Sequence, residues 1–232
     1  MKIQALVLCG GKGERLRPLT SNIPKPMIKI KDKTILEYII DHILFYDIEE
    51  LILLTGYQSN VVESHIRDKY NNNDILFSNA GDVDIIERIK KAINYINGDF
   101  LLFYGDTISD VNINSLITHH NNHNVPITMT VWPLQSQFGV VEIDSNNTIF
   151  SFKEKPVLDK WINIGYFYFK EEIITLIKEY DKFELLLLDL ISQGSIGAYK
   201  HTGAHITVNT MQELEEAENN IDQIQKIIIR NK

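Results

Sequence analysis

A single cysteine in 232 residues, Cys9, rules out an intrachain disulfide. Its place at the end of an apolar strand makes it a buried, reduced thiol, as a cytoplasmic protein would carry. No apolar run approaches the roughly 20 residues that cross a bilayer, so no membrane partner is expected. A charged-then-apolar leader pattern is missing too, because the first apolar run is short and passes straight into a glycine loop. An excess of positive charge is also lacking. The net charge of −8 excludes a binder of nucleic acid or membrane surface that acts through global attraction. There is no internal repeat. The runs NNND at 71–74 and HHNNHN at 119–124 read as polar loops or helix ends, without a linker between domains. With 44% hydrophobic residues, the chain suits one domain over residues 1–232.

What positive charge there is sits in one place. Residues 1–30 hold Lys2, Lys12, Arg15, Arg17, Lys25 and Lys29 against the single acid Glu14, a segment net of +5 inside the acidic chain. An acidic protein that concentrates cations on one loop is built to hold a small polyanion there. Leu6 to Met27 reads LVLCGGKGERLRPLTSNIPKPM: a short buried strand, then Gly10, Gly11 and Gly13 interleaved with Lys12, Arg15 and Arg17. Glycines let backbone N–H groups converge on phosphate oxygens, and the guanidinium and ammonium groups add charge-assisted bonds. Pro24 and Pro26 hold Lys25 on a stiff segment, where it can follow charge developing at phosphorus. Two familiar loops are excluded. No Gly-Lys pair is followed by Ser or Thr, and Gly11 and Gly13 are followed by Leu16, so this is neither a P-loop nor a dinucleotide fingerprint. A surface turn with incidental basic residues is the bland alternative.

Strands and helices alternate through the first half. Thr34–Tyr46 has helical spacing with one broad apolar face; Leu51–Thr55 is a buried strand. A helix over Asn60–Tyr70, a strand at Ile75–Ser78, a helix over Asp84–Ile96 and the strand Phe100–Tyr104 follow. That order predicts an α/β fold with a doubly wound, mostly parallel sheet and a ligand crevice at the carboxyl ends of its strands, where the glycine loop and Gly105-Asp106 should meet. From Pro126 the texture turns β-rich, in PITMTVW, FGVVEI, TIFSFKEK and NIGYFYF. This predicts an antiparallel extension that walls off a second pocket. The expected division is 1–125, 126–210 and a C-terminal helix from 210. FELLLLDLI is too apolar for an exposed helix, so it packs in the core or at a subunit contact. The last helix opens on a Thr210/Glu213 capping box and sets Met211, Leu214, Ala217, Ile221, Ile224 and Ile228 along one stripe. That stripe suits docking onto the body, with a second copy of the chain as the alternative partner.

The stretch from Leu6 to Met27 resembles the signature of the nucleotide-sugar pyrophosphorylases, the sugar-1-phosphate nucleotidyltransferases, which reads GG-x-G-[ST]-R-L-x-P-L-T followed by P-K-P-M. GDTISDVNI after the strand at 100–104 is similar to the GDG-[VL]-x-DVDI block of the glucose-1-phosphate cytidylyltransferase branch. The resemblance implies a Rossmann-like, three-layer αβα fold of GT-A-like type. It also implies an enzyme that joins an NTP to a sugar 1-phosphate, giving an NDP-sugar and pyrophosphate. Arg15 and Lys25 would be catalytic. Leu8, Gly10, Gly11, Gly13, Gly81, Asp82 and Gly105 would hold the nucleotide. Gly139, Glu154, Lys155, Asn163 and Gly165 would hold the sugar phosphate, and Asp106 and Asn209 would hold Mg²⁺. On its residues alone, Asp106 is a metal carboxylate or a turn cap, and Lys155 is a phosphate ligand or a solvated strand-edge lysine.

The departures from that pattern matter. Relatives read the base with L-G-T-[AG]-G-A, where this chain has Asn79-Ala80-Gly81-Asp82-Val83-Asp84. These carboxylates meet a base donor or cap the helix, and the base stays open with cytosine favoured by GDTISDVNI. Glu14 replaces a small hydroxyl residue, and either pairs with a neighbouring arginine or reaches the metal. The late W-x-x-[ML]-D-T becomes His205-Ile206-Thr207-Val208-Asn209-Thr210. Asn209 brings an oxygen and no charge, which weakens metal binding unless Asp110 compensates. His119, His120 and His123 read as a solvated helix end and not as a metal site. Heptose or non-sugar phosphate acceptors, a nucleotide-sugar sensor without turnover and a glycosyltransferase are the rival readings.

Overall fold

The computed structural model describes residues 3–71 and 74–230; the side chains of 223 and 225–230 are not described, so Ile228, expected on the last stripe, lies outside the described side chains. The first half runs β1 (Gln4–Leu8), the glycine loop, a small hairpin of β2 (Lys29–Ile30) and β3 (Lys33–Thr34), then α1 (Ile35–Leu44). β4 (Glu50–Thr55), α2 (Ser59–Lys69), β5 (Ile75–Asn79), α3 (Ile85–Ala92), β6 (Phe100–Tyr104), β7 (Thr107–Ser109) and α4 (Ile113–Asn121) follow. The second half holds β8 (Ile127–Gln135), β9 (Val140–Ile143), β10 (Ile149–Lys153) and β11 (Val157–Phe169). After them come α5 (Ile173–Ile177), α6 (Phe183–Ser192), β12 (Ile196–Lys200), β13 (His205–Thr207) and α7 (Met211–Arg230).

Seven strands form one sheet in the order β12-β8-β11-β6-β1-β4-β5. β1 pairs in parallel with both β4 and β6, and β11 enters antiparallel between β6 and β8. This is the expected mostly parallel sheet with an antiparallel extension. Alternation along β1 explains the layers: Ala5, Val7 and Cys9 face a core shared with α1, α2, α4 and α7, while Leu6 and Leu8 face one shared with α3, α5 and α6. Both faces of β1 are buried, and each fully buried leucine or valine contributes about 1.5–3 kcal/mol. Phe100 on β6 stacks on Phe169 of β11 with centroids 5.1 Å apart, locking the two directions of strand together.

Local signals set the helix boundaries. α1 starts at a complete capping box, Thr34 with Glu37, and α7 has its own in Thr210 with Glu213. The helix expected over Asp84–Ile96 is α3 only as far as Ala92, then tightens into a 3₁₀ turn at Ile93–Tyr95. The histidine run is not uniformly solvated. His120 is 1% exposed, stacked on Tyr168 with its Nδ1 2.8 Å from Thr128 Oγ1, because α4 lays its last turn on the sheet. α6 buries Phe183, Leu186, Leu187 and Leu190, but Leu185, Leu188 and Ile191 are exposed.

The crossovers place the crevice. α1 and α2 carry the chain to β4 and β5 on one side of β1, and α3 on the opposite face brings it back to β6 on the other side. The order therefore reverses between β1 and β6, and the loops after these two strands face each other.

Candidate active site

β1 delivers the glycine loop to that crevice. Gly13 is the residue the loop cannot exchange: its φ is +64°, and a Cβ there would stand 2.7 Å from Lys25 Cβ. This close approach seats Lys25, at the start of a 3₁₀ turn fixed by Pro24 and Pro26, beneath the loop. Lys25 is 8% exposed, and its Nζ donates to Asp106 Oδ2 at 2.6 Å and Asn209 Oδ1 at 2.8 Å. Arg15 Nη2 donates to the same Asn209 oxygen at 3.2 Å. Gly105 N–H donates to the Leu8 carbonyl at 3.0 Å, tying the ends of β6 and β1 so that Asp106 follows directly. Asn209 is held by its own N–H, which donates to Glu213 Oε2 at 2.6 Å at the start of α7.

Four stretches far apart in sequence thus meet around a cavity of about 440 Å³. Gly11, Gly13, Arg15, Lys25, Asp106 and Asn209 line it, with Lys12, Glu14, Leu16 and Asp82. Leu8, Gly10, Gly81 and Gly105, also expected at the nucleotide, belong to the strand ends and loops next to it and are not on its wall. The pairings bear on two open points. Glu14 sits 3.5 Å from Arg17, the neighbouring-arginine alternative. Asp82 takes Lys12 across the cavity mouth; that hydrogen bond raises the Lys12 pKa, and Asp82 makes no helix cap. Asp84 is the residue before α3, with no side-chain cap bond. Among the described residues Arg15 meets only the neutral Asn209 amide, so its charge stays available to a ligand.

The donor set suits a hard cation. Asp106 Oδ2 and Asn209 Oδ1 converge on one ammonium, so two oxygens already point to a common cationic centre. Among the described residues no group of three or more His, Cys, Asp or Glu could hold a metal alone. The fit rests on the donors present: one carboxylate and one amide oxygen are a protein share that Mg²⁺ accepts, its shell being completed by water and phosphate. Asp110 does not add to this set: its Oδ1 lies 2.9 Å from His201 Nε2 and it is off the cavity wall.

The residues expected at the sugar phosphate divide into two groups. Asn163 and Gly165 stand beside the site: Asn163 Oδ1 accepts from Gly165 N at 2.8 Å, and Gly165, at φ +76°, packs against the Tyr104 ring at the end of β6. Gly139, Glu154 and Lys155 lie at the base of the β9–β10 hairpin and are exposed, outside the cavity. Lys155 holds a left-handed φ of +44°, and its carbonyl accepts from Gln135 Nε2 at 3.3 Å.

Sequence reasoning missed Arg88. It is 7% exposed on α3, its Nε has no hydrogen-bond partner among the described residues, and a Cβ on Gly10 would come within 2.6 Å of its Nη1. Burial lowers its pKa, against the pull of Cys9, Asp82 and Asp84. The signal was in the spacing: Arg88 is three residues after Ile85 and four before Ala92, on the inward stripe of its helix. Cys9 beside it is buried, and burial pushes the thiol up to about 12.

Comparison with known proteins bears on the family and the fold. A probable glucose-1-phosphate cytidylyltransferase of Bacillus subtilis (strain 168) is 29% identical over 252 residues, covering 97% of this chain and 98% of that protein. The bifunctional protein GlmU of Methanococcus aeolicus is 32% identical over 94% of this chain, which spans only 54% of that relative. A solved UDP-glucose pyrophosphorylase complexed with UDP-glucose has a TM-score of 0.76 over 96% of this chain and 99% of its own, at 17% identity, a likeness of fold. Residues 4–225 match the model of one family across both halves of the sheet: the chain belongs to the nucleotidyl transferase family.

Proposed function

We propose that the protein condenses an NTP with a sugar 1-phosphate to an NDP-sugar and pyrophosphate. The observation that carries this reading is the convergence of Arg15, Lys25, Asp106 and Asn209 on one cavity beside the glycine loop. An oxygen of the sugar phosphate forms the new bond to the α-phosphorus. The bond to the α–β bridging oxygen breaks, and pyrophosphate leaves with its electron pair. No covalent intermediate is needed, since alignment and charge stabilisation carry such a displacement.

Each residue then has a task. The N–H groups of Gly11 and Gly13 and the available Arg15 guanidinium hold the triphosphate, while Arg17 keeps Glu14 from it. Lys25, stiffened by two prolines, stabilises the charge that builds on the α-phosphoryl oxygens. Asp106 and Asn209 would hold Mg²⁺, which neutralises phosphate charge when bound. Asn163 and Gly165 receive the sugar ring, and Lys155 and Glu154 approach the acceptor phosphate and hydroxyls from the hairpin. Arg88 offers guanidinium donors behind Gly10 to an acceptor-rich base edge. Cytosine, with its O2 and N3 acceptors, is the base we assign, in keeping with the near-full-length relative named a cytidylyltransferase. The reduced, buried Cys9 suits work in the cytoplasm, and no described helix is long and apolar enough to cross a membrane.

Pyrophosphate release, measured with four NTPs against a panel of sugar 1-phosphates in the presence of Mg²⁺, tests this. Release with CTP and a hexose 1-phosphate supports it. Release with none, alongside retained nucleotide binding, would turn the reading to a sensor without turnover.

A further inference from the structure

A second cavity of about 540 Å³ lies between the β8–β11 extension and α7. Trp132 and Ile162 are cross-strand neighbours on its floor. Asn163, the next residue along β11, points to the opposite face, so this cavity is separate from the proposed sugar-phosphate site. Its chemistry is opposite to that of the triphosphate cavity. Among the described residues no lysine or arginine lines it, and α7 presents Glu213, Glu216 and Asn220 to it at helical spacing. Such a wall repels phosphates and nucleotides. His205 on the same wall adds no positive charge near neutrality, because burial pulls its pKa down to about 4.

The walls alternate acceptors with groups that both donate and accept. Glu213 and Glu216 accept; the Gln135 and Asn220 amides and the Thr207 and Thr210 hydroxyls do both. An array of ligand hydroxyls, each donor and acceptor at once, is what such a lining matches. Trp132 supplies an aromatic surface for the C–H face of a ring, its indole N–H already donating to the Gly203 carbonyl at 2.9 Å. The volume is within the range of small-ligand pockets, about 300–1,000 Å³.

We propose that this cavity is an effector site for an uncharged carbohydrate, and that its occupancy reaches the triphosphate cavity through Glu213. The Glu213 carboxylate that faces the second cavity accepts the N–H of both Asn209 and Thr210, and Asn209 Oδ1 in turn receives Lys25 and Arg15. A sugar hydroxyl that bonds to Glu213 competes with the Asn209 N–H and shifts the side chain that steadies both cations. This coupling rests on Asn209 belonging to the site of turnover; the binding does not.

The test uses Trp132 itself as reporter. The chain has two tryptophans, so the full-length Trp161→Phe protein leaves Trp132 as the sole indole. Its fluorescence is titrated with D-glucose, D-mannose, N-acetyl-D-glucosamine and maltose, with glucose 1-phosphate as the anionic control. A saturable change with at least one uncharged sugar below about 10 mM is expected, weakened about tenfold or more in a Gln135→Ala/Asn220→Ala variant, whose two sites are exposed and spare the core. The same sugar should change kcat/KM for the NTP at least about twofold in the parent and not in the variant. No saturable response to any sugar, equal affinity in the variant, or tighter binding of glucose 1-phosphate would overturn the site. Binding that leaves kcat/KM unchanged in an active enzyme would overturn its effector role. An enzyme without turnover that still binds the sugar in the Trp132 assay would fail the proposed function alone.

Discussion

The two sides of the active-site region are held in different ways. On the proposed nucleotide side the central residues follow strands buried on both faces, or are clamped to ones that do: Asp106 after β6, the glycine loop after β1, Lys25 under Gly13. On the proposed sugar-phosphate side, Glu154, Lys155 and Gly139 hang from β9 and β10, a two-stranded sheet whose Phe150 and Phe152 are each 64% exposed, with Phe138 just before it at 79%. The N-terminal half of β11 pairs only with β8, past the end of β6. An isolated two-stranded ladder is marginal by itself, so this wall is placed by far fewer contacts than the crevice. Under the proposed function, a triphosphate would meet a preformed site, and an acceptor one whose outer wall owes its position to little but its own hairpin.

That contrast can be broken from either side. The largest effect is expected from Lys25→Ala, which should lower kcat about 10²–10³-fold in steady-state pyrophosphate release while the circular-dichroism melt stays close to the parent. An unchanged kcat would remove Lys25 from the mechanism. Gly13→Ala attacks the same wall through the backbone. The left-handed φ and the crowding against Lys25 should cost about 1–3 kcal/mol in a urea melt and displace the lysine, so kcat falls as well. On the other side, Lys155→Ala should act mainly as a roughly tenfold rise in KM for the sugar phosphate with the NTP KM unchanged. If kcat fell as far as in Lys25→Ala, the hairpin would be as preorganised as the crevice and the contrast would be wrong.

Acid should reach both halves. His42 and His120 in the first and His205 in the second are held neutral by burial, each pulled down to about 4 from 6.5. The unfolded chain takes up those protons first as pH drops. Their contribution is therefore complete above about pH 6.5 and is lost as pH falls toward 4, on the order of a few kcal/mol in total by about pH 5. Urea melts at pH 7.5 and 5 check this. The smallest effect is kinetic: Cys9, with its thiol pushed up to about 12, should resist alkylation in the native protein and react only on unfolding.

The same contrast explains what could be read from the chain. Strands β1, β4 and β6 announce themselves as apolar runs that stop at glycine, and the glycine loop with Pro24-Lys25-Pro26 falls into register behind one of them. Asn209 was reachable only through resemblance, because an Asn before a helix cap carries no signal of its own. Arg88 hid in the charged string ERIKK; its burial depends on how closely α3 approaches Gly10, a tertiary fact. β12 escaped notice because IGAYK is short and its parallel partner β8 lies across α5 and α6. His120 misled by its neighbours: a run of His and Asn reads as solvated, yet α4 turns one of the three against Tyr168.

A crystal structure with CTP and Mg²⁺ bound tests the central claim most directly. The expected result is a triphosphate lying along Gly11, Gly13 and Arg15, with Lys25 Nζ within hydrogen-bond reach of an α-phosphoryl oxygen and Asp106 facing the metal. A nucleotide seated elsewhere, with the Lys25–Asp106 cavity filled only by water, would contradict it.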